Sequence, residues 1–308
     1  MGDRAGGAFR SLNIRSFRLF FFGQLISQVG SWLTIVALTL VVLRRTDSGV
    51  AVGALVACQY GPMLVLGAYG GLVVDRSDKR RLLILTQVLQ MVQSFVLAWL
   101  ASIGDAPLGA FYAAAFAGGA LMAFDNPARR SFVTEMVPPE EMHNAVTLNS
   151  ALMTSARVVG PALGGVSVSN VGFSATFTID AFSYVAVIAS YGAMRSAELH
   201  VTDRGAKGKG QVRAALRYIK SVPELYVPMV MVTIIGLCSY NFAVMIPLFV
   251  VRSLHRSDST YTALYTVLSV GSLAAALVTA RSPNADLQFA VRWAYGFGVS
   301  LLLLAAAP

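Results

Sequence analysis

"GGLVVDRSDKRRLLI", residues 70–84, packs a glycine pair, a short apolar run, Asp75–Arg76 and then Lys79, Arg80 and Arg81 into fifteen positions before turning apolar again. Charge is scarce in the rest of the chain. Of 308 residues, 13% are charged and 56% are hydrophobic, against roughly 25% charged in an average soluble domain. A soluble fold would expose large apolar patches with this composition. The chain therefore reads as a membrane protein, and the basic burst as the polar connection between two membrane-crossing helices.

Working outward from that connection, runs of about 20 apolar residues, the length that crosses a bilayer, recur along the chain. They predict spans at Leu19–Leu43, Val50–Val74, Leu82–Ile103, Pro107–Phe124, Ala145–Ser169, Val171–Met194, Leu225–Val251, Thr260–Ala280 and from Phe289 to the end. The first is too long for a cleaved leader and has no small-residue cleavage site after it. Lys and Arg set the orientation. With the N-terminus inside, the inner segments hold Arg4, Arg10, Arg15 and Arg18, the 76–81 cluster, Arg129 and Arg130, seven basic residues from Arg195 to Lys220, and Arg281. The outer loops hold Arg44, Arg45, Arg252 and Arg256. The N-terminus and the opening stretch are thus expected on the cytoplasmic face.

The fold class expected is an all-α integral membrane bundle of about nine spanning helices of a possible twelve. Residues 1–194 form a six-helix bundle, 195–224 a basic linker, and 225–308 an incomplete second bundle of about three helices. "QVRAALRYIK" in the linker suits either a surface amphipathic helix or a solvated connector. The +9 net charge sits between apolar runs rather than on a soluble face, so a nucleic-acid partner is not expected. Cys58 and Cys238 lie singly in apolar runs, and His143, His200 and His255 are scattered, so no metal site and no cofactor are expected. No nucleotide-binding loop, zinc-protease helix or nucleophile elbow occurs, which argues against an enzyme or an ATP-driven pump.

"GGLVVDRSDKRR" resembles the loop signature of the major facilitator superfamily. "SFRLFFFGQLISQVGSWLTIVAL" and "FDNPARRSFVTEMVPPEEMHNAVTLNSALMTSARVVGPALGG" resemble its enterobactin-exporter-like, multidrug branch. The resemblance covers nearly all of the first half and is weak after residue 225. It implies proton-coupled export of a small amphiphilic compound, a drug or a siderophore, by a monomer in the bacterial inner membrane. It also implies a conformational latch at Gly71, Asp75, Arg76, Arg80 and Arg81, with Asp75 facing a helix N-terminus of the second half and pairing with Arg129 or Arg130. Asp78 stands where the family commonly has a small or polar residue. The GPxxGG run Gly160, Pro161, Gly164 and Gly165 resembles the helix-five motif of antiporters, with Thr147 and Ala156 replacing its upstream glycines. Two rival readings are a lipid or lysophospholipid flippase of a related branch and a truncated, non-transporting scaffold.

Two charges fall inside the first six spans, Arg157 in the fifth and Asp180 in the sixth. Each costs about 2.5–3.5 kcal/mol there, so the pair is expected either to bond to each other or to leave Asp180 carrying a coupling proton. Polar stripes on the first and third spans, Gln24, Ser27, Gln28 and Ser31 with Gln87, Gln90 and Gln93, suit a substrate cavity that Gln59 and Asn149 would join; interhelical bonding is the plainer alternative. Trp32, Phe124, Tyr184 and Tyr240 are candidate aromatic walls.

Overall fold

The structure is a computed structural model and describes residues 9–200, 217–239, 249–250, 264, 267, 271, 291–293 and 295–300. The chain divides into two compact units, residues 1–209 with 242–267, and residues 210–241 with 268–308.

In the first unit, α1 spans Arg15–Thr46, α2 Gly49–Arg76, α3 Lys79–Ser102 and α4 Leu108–Glu135. A fifth segment, Met142–Ala193, has 52 residues. At 1.5 Å per residue it would be about 78 Å long, over twice a bilayer core of about 30 Å. Gly172 breaks it, with φ 80° and ψ 178°, a left-handed backbone that glycine tolerates and other residues resist. The break makes two antiparallel arms, α5 over 142–171 and α6 over 173–193. All five segments are long and apolar enough to cross a membrane. In the second unit, α7 covers Pro223–Ser239, overlapping the expected Leu225–Val251 span. Most of the later expected spans, Tyr240, His255 and most of "QVRAALRYIK" lie outside the described residues.

Helix ends explain the opening stretch. The connection between α2 and α3 is only Ser77 and Asp78. Asp78 is the N-cap of α3, its carboxylate accepting the Arg81 N–H at 3.0 Å, which gives the unexpected acid a local reason. Lys79, Arg80 and Arg81 are therefore in the first turn of α3 rather than in a loop. Arg129 and Arg130 likewise lie inside α4, which runs on to Glu135 past the expected end at Phe124. Arg44 and Arg45 form the last turn of α1, where the helix dipole favours cations. Arg45 donates to Ala106 O at 2.6 Å and its guanidinium lies 5.0 Å from the Phe111 ring.

α1 is the central helix: 61% of its apolar window is buried, against 22% for α2. Two apolar clusters flank its middle. One joins Val36–Leu43 to Val52, Leu97, Phe111 and Phe177. The other joins Phe17 and Phe20 to Leu83, Phe132, Val187 and Tyr191, near the basic end. Between them, α1 carries Gln24, Ser27, Ser31 and Thr34, a polar seam sealed at both ends.

Candidate functional site

The seam forms because three helices each carry polar residues at helical spacing. Gln24, Ser27, Ser31 and Thr34 line one face of α1. Gln87, Gln90 and Ser94 line α3. Asp180, Tyr184 and Tyr191 line α6. Buried polar groups in lipid must find partners inside the protein, and these three faces meet one another.

At the level nearer the basic end sits Asp125, fully buried on α4. It is ion-paired with Arg129 one turn on. Its Oδ1 accepts from Thr86 Oγ1 at 2.9 Å and Gln87 Nε2 at 2.8 Å. Ser27 Oγ reaches Gln87 Oε1 at 3.5 Å. Arginine and an amide NH₂ can only donate, so this shell is built for a carboxylate. Neither member of the pair was assigned this partner from sequence. The signal was present as an acid four residues before an arginine, within a segment read as a basic loop.

Asp180 lies seven to eight α3 residues away, about 11 Å along the helix axis, taking Gln87 and Ser94 as level markers. It too is fully buried. Thr34 Oγ1 donates to Oδ2 at 2.6 Å, Ser94 Oγ at 2.7 Å, and Ser183 Oγ reaches Oδ1 at 3.4 Å. A Cβ at Gly30 would overlap Ser183 Oγ and Asp180 Oδ1, so glycine is what lets α1 close over the acid. The expected ion pair with Arg157 is not formed. Asp180 faces α1 and α3, whereas Arg157 is on the exposed side of α5. Hydroxyls can donate or accept, so this shell accommodates either the carboxylate or the carboxylic acid.

Tyr184 lies between the two levels, its hydroxyl 3.2 Å from Ser31 Oγ and 3.4 Å from Gln90 Oε1. Gln24 donates to Tyr191 Oη at 2.8 Å and accepts from Gln28 at 3.4 Å. Gln24 and Gln90 are buried and engaged inside the seam, because the polar stripe of α1 faces α3 and α6. Gln28, Ser31, Gln59 and Asn149 are half-buried. Three buried atoms have no hydrogen-bond partner among the described residues: Gln90 Nε2, Arg129 Nε and Asn149 Oδ1.

The basic end ties the first unit together. Lys79 is ion-paired with Glu135, both nearly buried. Arg80 donates to Tyr191 O at 2.7 Å, Gly192 O at 2.9 Å and Ser196 Oγ at 3.1 Å, filling the orphan carbonyls at the end of α6. Arg81 lies 3.6 Å from Asp78. Lys79, Arg80, Arg81, Glu135 and Ser196 line a cavity of about 420 Å³ with Phe132. Asp75, Arg76 and Arg130 are exposed and make no bond among the described residues. The expected pairing of Asp75 with Arg129 or Arg130 is thus absent, since Arg129 is committed to Asp125. The close approach falls to Gly70, whose Cβ would overlap Ala123 O of α4, while Gly71 faces open space.

In α5, a Cβ at Gly160 would overlap Trp32, and one at Gly164 would crowd Val36. These glycines seat α1 against α5, with Pro161 and Gly165 buried beside them.

A family model described as transmembrane secretion effector matches residues 6–288. The staphyloferrin A transporter of Staphylococcus aureus is 26% identical over 168 residues, 54% of this chain and 42% of that protein. The MFS-type transporter YfiS of Bacillus subtilis is 26% identical over 162 residues, 52% of this chain and 38% of that protein. Macrolide efflux protein A of Streptococcus pyogenes is 24% identical over 168 residues, 54% and 41% respectively. The matches thus span about two fifths of each relative's length. A bacterial homologue of the human lysosomal transporter Spinster, solved inward-facing and unoccupied, superposes with a TM-score of 0.63 at 14% identity, over 84% of this chain and 61% of that one.

Proposed function

The chain belongs to the transmembrane secretion effector family of the major facilitator superfamily, and on that premise we propose that it exports a small amphiphilic compound, a drug or a siderophore, in exchange for protons. The observation carrying this reading is Asp180: a buried acid whose bonding partners are all hydroxyls. A permanent charge so placed is costly in a membrane, and a hydroxyl shell lets the acid take up and release a proton without orphaning a partner. The names of two relatives, one handling staphyloferrin A and one macrolides, suggest the substrate class.

The proposed orientation puts the basic end on the cytoplasmic face of a bacterial inner membrane, in keeping with the positive-inside rule. Gly71, Asp75 and Arg76, open in the first unit, would then meet a second-half helix, as in the latch that the superfamily resemblance implies. Substrate would meet the half-buried polar groups Gln28, Ser31, Gln59 and Asn149.

The test is transport into vesicles holding the full chain under an imposed pH gradient, with staphyloferrin A and a macrolide as probes. Gradient-driven accumulation of at least one probe, lost in Asp180→Asn, is expected. Undiminished transport by Asp180→Asn would remove that residue from coupling, and gradient-independent wild-type transport would overturn proton exchange.

A further inference from the structure

The seam raises a question that Asp180 alone does not answer, namely how a proton leaves a carboxyl enclosed by apolar clusters. Asp180 and Tyr184 are one turn apart on the same face of α6, where side chains are neighbours. Thr34, which holds Asp180 at 2.6 Å, is one turn from Ser31, which lies 3.2 Å from the Tyr184 hydroxyl. Tyr184 Oη then reaches Gln90 Oε1 at 3.4 Å. Beyond it, the buried Gln90 Nε2 has no acceptor. An orphan buried N–H of this kind commonly marks an ordered water, and a water needs two to four polar partners. Gln90 Nε2 and the Tyr184 hydroxyl, which lies 3.4 Å from Gln90 Oε1, supply two.

We propose that Tyr184 is the proton relay of Asp180, passing its proton toward the basic end through a water held on Gln90. This rests on the proton-exchange reading above. In the step, the Asp180 carboxylic acid gives its proton to the Thr34 hydroxyl, a water bridging the one turn from Thr34 to Ser31 carries one on, and Ser31 turns its hydroxyl from the Ser27 carbonyl to give one to the Tyr184 oxygen, each oxygen giving up one proton as it takes one. The original Tyr184 proton moves to the water on Gln90, which hands a proton on. Tyr184 ends neutral, and Asp180 ends as a carboxylate under its three hydroxyls.

The surroundings keep the route single. α1 and α3 face Asp180 with Thr34 and Ser94, and neither helix carries a charged residue in its buried stretch. On α6 the titratable neighbour is Tyr184 itself. From α4 come Asp125 and Arg129, already paired with each other, and on α5 Arg157 points to the exposed side.

The experiment is infrared spectroscopy of the full chain in lipid vesicles, following hydrogen–deuterium exchange of the carboxylic-acid band that disappears in Asp180→Asn. Tyr184→Phe, which keeps the ring, and Gln90→Leu should each slow that exchange by about tenfold or more, the effect of losing roughly one hydrogen-bonded step. The thermal midpoint of Tyr184→Phe should stay near that of the parent. Exchange at the parent rate in both variants would overturn the relay while leaving Asp180 as the proton site. Absence of an Asp180-dependent band in the parent at every pH tested would overturn the proton reading and the relay with it.

Discussion

Asp125 and Asp180 are both fully buried, lie about two helical turns apart in depth, and share the same seam, yet their neighbours differ in kind. Asp125 meets a guanidinium and an amide NH₂, which only donate, beside the single hydroxyl of Thr86. Among the described residues, Asp180 meets three hydroxyls and no cation. The first arrangement fixes a charge and ties α3 to α4. The second tolerates a change of charge and ties α1, α3 and α6 around a site that can be loaded and emptied. A buried acid is therefore characterised less by its depth than by whether its partners can reverse roles.

The strongest way to break this contrast is to remove one side of the fixed pair. Asp125→Asn should cost about 3–5 kcal/mol of stability by stranding Arg129, seen as a large fall in thermal midpoint in detergent. The double change Asp125→Leu with Arg129→Met should recover much of it. Equal loss in the single and double variants would mean that the pair does not act as a unit. Next, Gly30→Ala should cost about 1–3 kcal/mol, because the added methyl has no room beside Ser183 and Asp180; an unchanged midpoint would show that the hydroxyl shell yields easily. Thr34→Val, which removes the shortest donor to Asp180, should cost about 1 kcal/mol and impair pH-driven transport more than it impairs folding. The smallest effect on stability is expected for Asp180→Asn, within about 1 kcal/mol, since the amide oxygen can still accept from Thr34 and Ser94. A fall as large as that of Asp125→Asn would erase the distinction between the two acids.

Much of this layout was legible in the chain. Apolar run lengths placed the first six spans, because a bilayer demands about 20 apolar residues and the backbone has no other way to satisfy itself there. The α4 boundary was misplaced for a related reason. "DNPARR" ended the apolar run, whereas Asp125 and Arg129 neutralise each other one turn apart and the helix simply continues. Which glycine of the pair lies against α4 depends on helix rotation: Gly70 does, and Gly71 is left open. Gln24 and Gln90, expected at a cavity, are buried where α1, α3 and α6 meet.

By itself the sequence determined that this is a membrane-threading chain, where its first six spans lie and which stretches concentrate positive charge, since these follow from local hydropathy and net charge. Only the tertiary structure decided that Arg129 belongs to Asp125, that Arg80 closes the end of α6, and that Asp180 is met by hydroxyls in place of Arg157. Each of those outcomes depends on how a helix is turned about its own axis, and that rotation is set by packing against neighbours far away in the chain.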